Sequence, residues 1–221
     1  MFDFKKILII IGFTLTAISV IVCPSSYAAV IPFSQITTNS GTNYSSYFNV
    51  DVTSVGSSQV LFKFNNSSIG AISEAYIDQT GSLLGSFSGY TYGGVVYFSS
   101  PANPANLPSG NTVGFLADFS FQSDRSGSGN SAVSKSNNRV DNGEWLGLTF
   151  NLSSGKTFSD IINGLDDGSL RLGIHVQSFG QYSESFVTDT QLVHTPEPGT
   201  MLLLGSGLVG LAGWGRKKFR K

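Results

Sequence analysis

Short stretches in which apolar and polar residues strictly alternate recur along this chain, and they constrain its fold more than any other feature. Phe48, Val50 and Val52 alternate with Tyr47, Asn49 and Asp51, and Val60, Phe62 and Phe64 alternate with Leu61 and Lys63. Ile69, Ala71, Ala75 and Ile77 fall on one face, and Glu74, Tyr76 and Asp78 on the other. Val113, Phe115, Ala117, Phe119 and Phe121 form a long odd-numbered face, while Leu146, Leu148, Phe150 and Leu152, and then Leu170, Leu172, Ile174 and Val176, form even-numbered ones. A period of two places successive side chains on opposite faces of a strand, one buried and one wet. Turn pairs separate the runs at Asn65-Asn66, Thr80-Gly81, Gly93-Gly94, Pro108-Ser109-Gly110, Asn142-Gly143 and Asp167-Gly168. One short helix is expected between Thr157 and Leu165, capped by Thr157 or Ser159 and ended by Gly164 or Gly168. The expectation is an all-β chain, an antiparallel β-sandwich of jelly-roll type with about eight to ten strands and one short helix.

Three polar connections interrupt the pattern. Ser99 to Gly110 holds three prolines and reads as a rigid connector. Ser123 to Glu144 is long, with only Ala132, Val133 and Val140 apolar, and reads as disordered or mobile. Ser178 to Ser185 reads as a shorter polar turn carrying Glu184.

Charge is unevenly placed. Of 13 basic residues, seven lie at the two ends, leaving six against 13 acidic residues between Val30 and Pro198. An acidic middle lacks the clustered Lys and Arg that neutralise phosphates, so nucleic acid is excluded as a partner. The single cysteine, Cys23, precedes that middle, which excludes disulfides, Cys-ligated metal and thiol chemistry within it.

Residues 1–29 have the three parts of a secretory signal: Lys5 and Lys6, an apolar helix-forming run from Ile7 to Val22, and small residues at Ser26-Tyr27-Ala28-Ala29. The cut is placed after Ala28 or Ala29. The body is 30–194. Residues 195–221 begin Thr195-Pro196-Glu197-Pro198, continue as an apolar run over 201–215, and end in the basic tail Arg216, Lys217, Lys218, Phe219, Arg220, Lys221. The prolines hold Glu197 in an extended segment that an enzyme can thread. A helix over 201–215 would be only about 22 Å long against a hydrocarbon core of about 30 Å. It also carries five glycines. That span suits a transient hold in the inner membrane. The positive-inside rule keeps the basic tail, together with Lys5 and Lys6, in the cytoplasm.

This tail resembles the sorting signal of PEP-CTERM proteins: the Pro196-Glu197-Pro198 motif, a short apolar helix and an Arg/Lys-rich end. The resemblance implies a substrate of exosortase, an integral membrane peptidase that removes the tail and passes the protein outward, with signal peptidase acting at the other end. Family members are typical of Gram-negative bacteria that make exopolysaccharide. The body is also similar to a group of PEP-CTERM protein bodies at Asn106-Leu107-Pro108-Ser109-Gly110-Asn111, Asn142-Gly143-Glu144, Gly173-Ile174-His175-Val176-Gln177 and Ser183-Glu184-Ser185-Phe186. That likeness carries no activity.

Catalysis needs converging polar groups with assignable roles. His175, on a wet strand face with Arg171 and Gln177, pairs in principle with Glu184 or Asp141, while His194 borders the sorting tail. Asp141 with Glu144, and Asp166 with Asp167, are the paired carboxylates a glycosidase would use, but both sit at turns. Asp124, Asp141, Glu144, Asp166 and Asp167 are loop oxygen ligands of the kind calcium takes, without an EF-hand or an Asp-rich repeat. No phosphate-binding Gly-rich loop and no Gly-x-Ser-x-Gly elbow is present. No cofactor other than calcium is suggested.

Among Tyr44, Tyr47, Tyr76, Tyr90, Tyr92, Tyr97 and Trp145, the residues Tyr47, Tyr76 and Trp145 fall on predicted wet faces and are the candidate glycan contacts. The leading expectation is an exported, non-catalytic cell-surface or extracellular-matrix protein. A carbohydrate-binding module acting on exopolysaccharide is the alternative, and a hydrolase the third.

Overall fold

The computed structural model describes residues 28–123 and 139–188. Ten strands are all paired antiparallel: β1 (Ala28–Gln35), β2 (Phe48–Val55), β3 (Gln59–Asn66), β4 (Ala71–Gln79), β5 (Leu84–Gly93), β6 (Phe98–Ser99), β7 (Phe119–Ser123), β8 (Trp145–Leu152), β9 (Leu170–Phe179) and β10 (Tyr182–Thr188). One α-helix, α1 (Phe158–Asp167), lies between β8 and β9. The strand order is β5-β8-β3-β2-β1-β10-β9-β4-β7-β6.

The two layers are one continuous sheet, because β1 belongs to both. Ala28 to Pro32 pair with β2, and Phe33 to Gln35 pair with β10. Pro32 sits at the handover, where a residue without an N–H donor interrupts neither ladder. The sheet curls until its outer strands almost meet. Across that seam the Tyr92 hydroxyl lies 3.3 Å from the Phe98 N–H, and the rings of Phe87 and Phe121, and of Phe119 and Phe150, are 4.9 and 5.0 Å apart. The result is an all-β barrel-like sandwich whose core is filled by the predicted faces of β2, β3, β8 and β9, including Val50, Phe62, Phe64, Leu148, Phe150 and Ile174.

Helix α1 forms where the sequence places it. Thr157 accepts from the Asp160 N–H while the Asp160 carboxylate accepts from the Thr157 N–H at 2.7 Å, a reciprocal capping box. Gly168 ends the helix at φ 78°, a left-handed conformation that glycine adopts without a Cβ penalty. Ile161 and Leu165 are buried, and Gly164 lies so close to Leu83 that a Cβ would sit 2.4 Å from its methyl group. Thr157→Ala removes the cap acceptor, and thermal unfolding is expected to show a loss of about 1 kcal/mol.

Three expectations are corrected. Ile69 is not on the core face but 77 % exposed, because β4 starts only at Ala71 and a register shift between Ile72 and Glu74 changes the phase of the strand. The alternation from Val113 to Phe121 is not one strand. A 3-10 turn over Gly110–Val113 and left-handed Gly114 (φ 64°) break it, so Val113 is exposed and Phe115 enters a separate cluster. Glu184 lies in strand β10 instead of a turn, since Ser178 and Gly180 at positive φ let the β9–β10 hairpin reverse early.

The connection from residue 100 to 118 lies over the outer face of β4, β9 and β10. Leu107, Phe115 and Ala102 pack with Tyr76 and Val187 in a second apolar cluster. Arg171 fastens this layer: it pairs with Asp78, donates to the carbonyls of Val113 (2.9 Å) and Gly114 (2.6 Å), and lies over the Phe115 ring.

Strict antiparallel pairing gives the body two distinct ends. The chain enters at Ala28 and leaves after Thr188 at the same end, which also carries α1 and the turns after β2, β4 and β8. The opposite end carries residues 36–47, 67–70, 94–97, 139–144 and 180–181. The signal segment up to Tyr27, the Pro196-Glu197-Pro198 motif, the apolar run 201–215 and the tail 216–221 lie outside the described residues, as do 124–138 of the long polar connection. Ala28 and Ala29, which flank the expected cut, are the first two residues of β1. Among the described residues no helix is long and apolar enough to cross a membrane.

Candidate functional site

The end opposite the chain exits is built on one buried carboxylate. Glu184 is 0 % exposed. Its Oε2 accepts from the Thr37 hydroxyl at 2.5 Å and the Asn39 N–H at 3.2 Å, and its Oε1 accepts from the Ser40 N–H at 2.6 Å. Burial by itself would raise the pKa of this group. The hydrogen bonds from Thr37, Ser40 and Asn39 outweigh burial and hold the carboxyl below its ordinary value. Asn39 Nδ2 donates back to the Ser183 carbonyl at 2.7 Å. Gln35 pins the other side of the same loop, donating to the carbonyls of Thr37 and Thr42 and accepting from the Tyr44 N–H. A loop of Thr, Asn, Ser and Gly is thereby held in one conformation by side chains from two adjacent strands.

From this loop an unbroken series of contacts crosses the end of the body. The Tyr44 ring stacks on Phe179 at 4.0 Å and lies 6.3 Å from Tyr47. Phe179 rests against Gly70, where an added Cβ would come within 2.7 Å of the ring. The Tyr47 carbonyl accepts from the Ser67 N–H, and Asn66 donates to the carbonyls of Gly70 and Val140. Glu144 then links the last two loops, its Oε1 accepting from the Val95 N–H (2.8 Å) and its Oε2 from the Asp141 N–H (3.0 Å). Tyr47, Ile69, Val95, Tyr97 and Tyr182 stand exposed on this frame. Beside Tyr47, where β1 changes partners, a groove of about 520 Å³ opens between Val30, Pro32, Ser45, Ser46 and Asn49.

The three candidate glycan contacts are not brought together. Tyr47 is exposed at the loop end. Trp145 is half-buried on the outer face of β8, with the Lys63 ammonium 5.0 Å over its ring and Gly93 directly against its indole nitrogen. Tyr76, expected on a wet face, is 0 % exposed, because the 100–118 connection covers that face. Its hydroxyl donates to the Pro104 carbonyl at 3.1 Å, and its pKa is raised by burial and by Glu74. Tyrosine rings do gather at the seam: Tyr90, Tyr92 and Tyr97 run in sequence with centroids 5.9 and 5.8 Å apart and near-parallel planes. Burial, then Tyr92, pushes the Tyr90 hydroxyl up to about 12.

His175 is half-buried, faces Glu74 across β4 and Ser185 across β10, and has Nδ1 3.0 Å from the Ser185 hydroxyl. Burial pushes its pKa down to about 4 despite the Glu184 charge, which favours the imidazolium. It is a neutral imidazole at neutral pH, beside a hydroxyl that is itself 1 % exposed. Asp141 and Glu144 are neighbours, and burial followed by Glu144 raises the pKa of Asp141, but both Glu144 oxygens are engaged by backbone N–H groups. Asp167 accepts from the Ser169 N–H at the end of α1, and Asp166 is exposed. Among the described residues no three His, Cys, Asp or Glu side chains form a group that would hold a metal ion; Asp124 and His194 lie outside them.

Residues 194–217 match the PEP-CTERM protein-sorting motif. The C-terminal region therefore carries a sorting signal for export and exosortase processing. No curated protein and no solved structure matches the chain.

Proposed function

We propose that this is a non-catalytic cell-surface or extracellular-matrix protein, held briefly in the inner membrane by its tail and released when an exosortase cuts near Pro196-Glu197-Pro198. The sorting motif over residues 194–217 is the observation that carries this reading. Two structural features support it. Both chain exits lie at one end of the body, so a signal segment and a tail can be inserted in one membrane without crossing the fold. Only seven residues lie between Thr188 and Pro196, eight steps that reach at most about 29 Å when fully extended, which keeps that end close to the membrane during processing. The non-catalytic part of the reading is supported by the engagement of Glu144, Glu184 and Asp167 in backbone hydrogen bonds and by a His175 that burial keeps neutral.

Mass spectrometry of the extracellular fraction is expected to find a chain that starts near Ala29 or Val30 and ends near Pro198. Changing Pro196, Glu197 and Pro198 together to alanine is expected to abolish that product and leave the full-length chain in the inner membrane. Recovery of only full-length, membrane-bound protein from the unaltered chain would overturn the proposal.

A further inference from the structure

Strand β1 changes partners part-way along, and the change leaves an edge open. Ala28 to Pro32 pair with β2 on one side, and among the described residues no strand pairs with them on the other. Hydrogen-bond directions fix what that edge offers. The Gln35 N–H donates to the Ser45 hydroxyl, on the β2 side, and the Ile36 N–H donates to the Ser185 carbonyl, on the β10 side. Direction alternates along a strand, so Ala28 and Val30 aim both N–H and carbonyl at the open edge, while Ala29 and Ile31 bond to β2. Pro32 offers that edge a carbonyl and has no donor to leave unpaired. Such a row of backbone groups is a template for another strand.

Strand β10 runs toward this edge. It parts from β9 after Val187, and the Leu172 N–H is taken instead by the Thr188 hydroxyl at 3.0 Å. Thr188 is nevertheless still in register with Phe33 of β1. Carrying that ladder on without a shift sets residues 189–193 against Pro32 to Ala28, with Gln191 opposite Val30 and Val193 opposite Ala28. The side chains suit that register. On the inward face Thr190 falls opposite Ile31, and Leu192 falls opposite Ala29, a small residue of the core. Asp189, Gln191 and Val193 fall on the outward face, and neither proline nor glycine occurs between Thr188 and Pro196. Five residues at about 3.4 Å each span about 17 Å, the length of the open edge.

We infer that residues 189–193 dock on the open edge of β1 as a continuation of β10. Continuity with the β1–β10 ladder favours this occupant over a second copy of the chain. The segment is tethered at the edge by Thr188, so docking costs it no translational freedom. Only His194 and Thr195 then lie between the sheet and Pro196, and the sorting motif leaves the body beside the N-terminal segment. The docking is a property of the chain itself; its part in holding the body at the membrane during processing rests on the proposed function.

The test is oxidative cross-linking of the full-length chain in detergent, with Cys23→Ser so that no other thiol is present. Val30→Cys with Gln191→Cys places two thiols on register mates, whose Cα atoms lie about 5.5 Å apart, within disulfide reach. Val30→Cys with Val193→Cys is two residues out of register, at about 9 Å, beyond that reach. The first pair is expected to form an intramolecular disulfide about tenfold or more faster than the second. Equal rates, a faster second pair, or no cross-link in either would overturn the inference. So would disulfides formed only between molecules, since a second copy would then occupy the edge. A further measurement uses Gln191→Pro, which removes one of the edge hydrogen bonds. Hydrogen exchange at the Val30 amide is expected to quicken about tenfold or more, while the Ile31 amide, bonded to β2, exchanges as in the parent and reports an intact body. Unchanged exchange at Val30 would overturn the inference. Scoring extracellular release separates the two readings: no register-specific cross-link with normal release removes only the docking, whereas failed release of the unaltered chain removes the proposed function and leaves the docking standing.

Discussion

Glu184→Gln is expected to lower the midpoint of urea unfolding by the equivalent of about 2–3 kcal/mol and to loosen the 37–43 loop. The change is nearly isosteric, so packing is kept. Both carboxylate oxygens accept from N–H or O–H donors, at Thr37, Asn39 and Ser40, and a side-chain amide must present its own donor to one of those sites. One charge-assisted hydrogen bond or more is lost, and a buried backbone N–H is left without its acceptor.

The pH dependence has a defined sign. The folded pKa of Glu184 lies below its ordinary 4.5, so its contribution is present above about pH 4.5 and is lost as pH falls through the folded value. His175, held down to about 4 from 6.5, adds a second loss as pH drops from 6.5, because the unfolded chain binds that proton first. In the Gln variant the Glu184 part of the acid limb should flatten. The imidazole, deprived of the Glu184 charge, should titrate still lower by NMR. An unchanged midpoint, or an unchanged acid limb, would show that the carboxylate does not organise the loop.

Phe150→Ala is expected to destabilise the body by about 3–5 kcal/mol, a large fraction of the roughly 5–15 kcal/mol that a marginally stable domain possesses. The ring is 0 % exposed and meets Phe62, Phe87, Phe119 and Phe121 at centroid distances of 6.1, 5.4, 5.0 and 6.0 Å. Phe62 belongs to the adjacent strand β3, whereas Phe87 lies on one side of the seam and Phe119 and Phe121 on the other. Losing this ring removes buried area and the contacts that close the sheet on itself. Among the described residues no strand pairing crosses the seam to compensate, since β5 and β6 end the order and the two residues of β6 pair with β7. Urea melts should show a lower midpoint, whereas Tyr182→Ala, at an exposed position, should stay within about 0.5 kcal/mol. A shift below about 1.5 kcal/mol for Phe150→Ala would mean that the cavity collapses and that the seam is held by other contacts.

Legibility followed local chemistry. The strands β2, β3 and β8 could be read because each has one face in the core and one largely in solvent, and β9 because its covered outer face still carries the polar or small residues Arg171, Gly173, His175 and Gln177, so period two survives in the sequence. Helix α1 could be read because its cap and its terminating glycine are local signals. Strand β1 lacks the pattern in sequence because its outward positions hold Ala28, Val30 and Pro32, although burial alternates along it. Strand β5 lacks it because two register shifts against β8, between Leu84 and Phe87 and between Phe87 and Gly89, break its phase. In β4 both faces are covered, so Glu74 and Tyr76 look solvent-facing in sequence and are buried in the fold. Of the candidate contacts, Tyr47 keeps its exposure, Trp145 is partly covered by Lys63 and Gly93, and Tyr76 is lost to the surface.

What the sequence determined by itself is the class of fold and the destination. Alternation is set by neighbouring residues and caps by the residues that form them. A sorting motif is read as a linear segment, so residues 194–217 carry their meaning without a folded body. Only the tertiary structure decided which residues share a surface. The meeting of Glu184 with Thr37, Asn39 and Ser40 joins positions more than 140 residues apart, through β10 lying beside β1. The placing of both chain exits at one end follows from the order and direction of ten strands. No local pattern encodes that order, because it is chosen by the burial of the whole core at once.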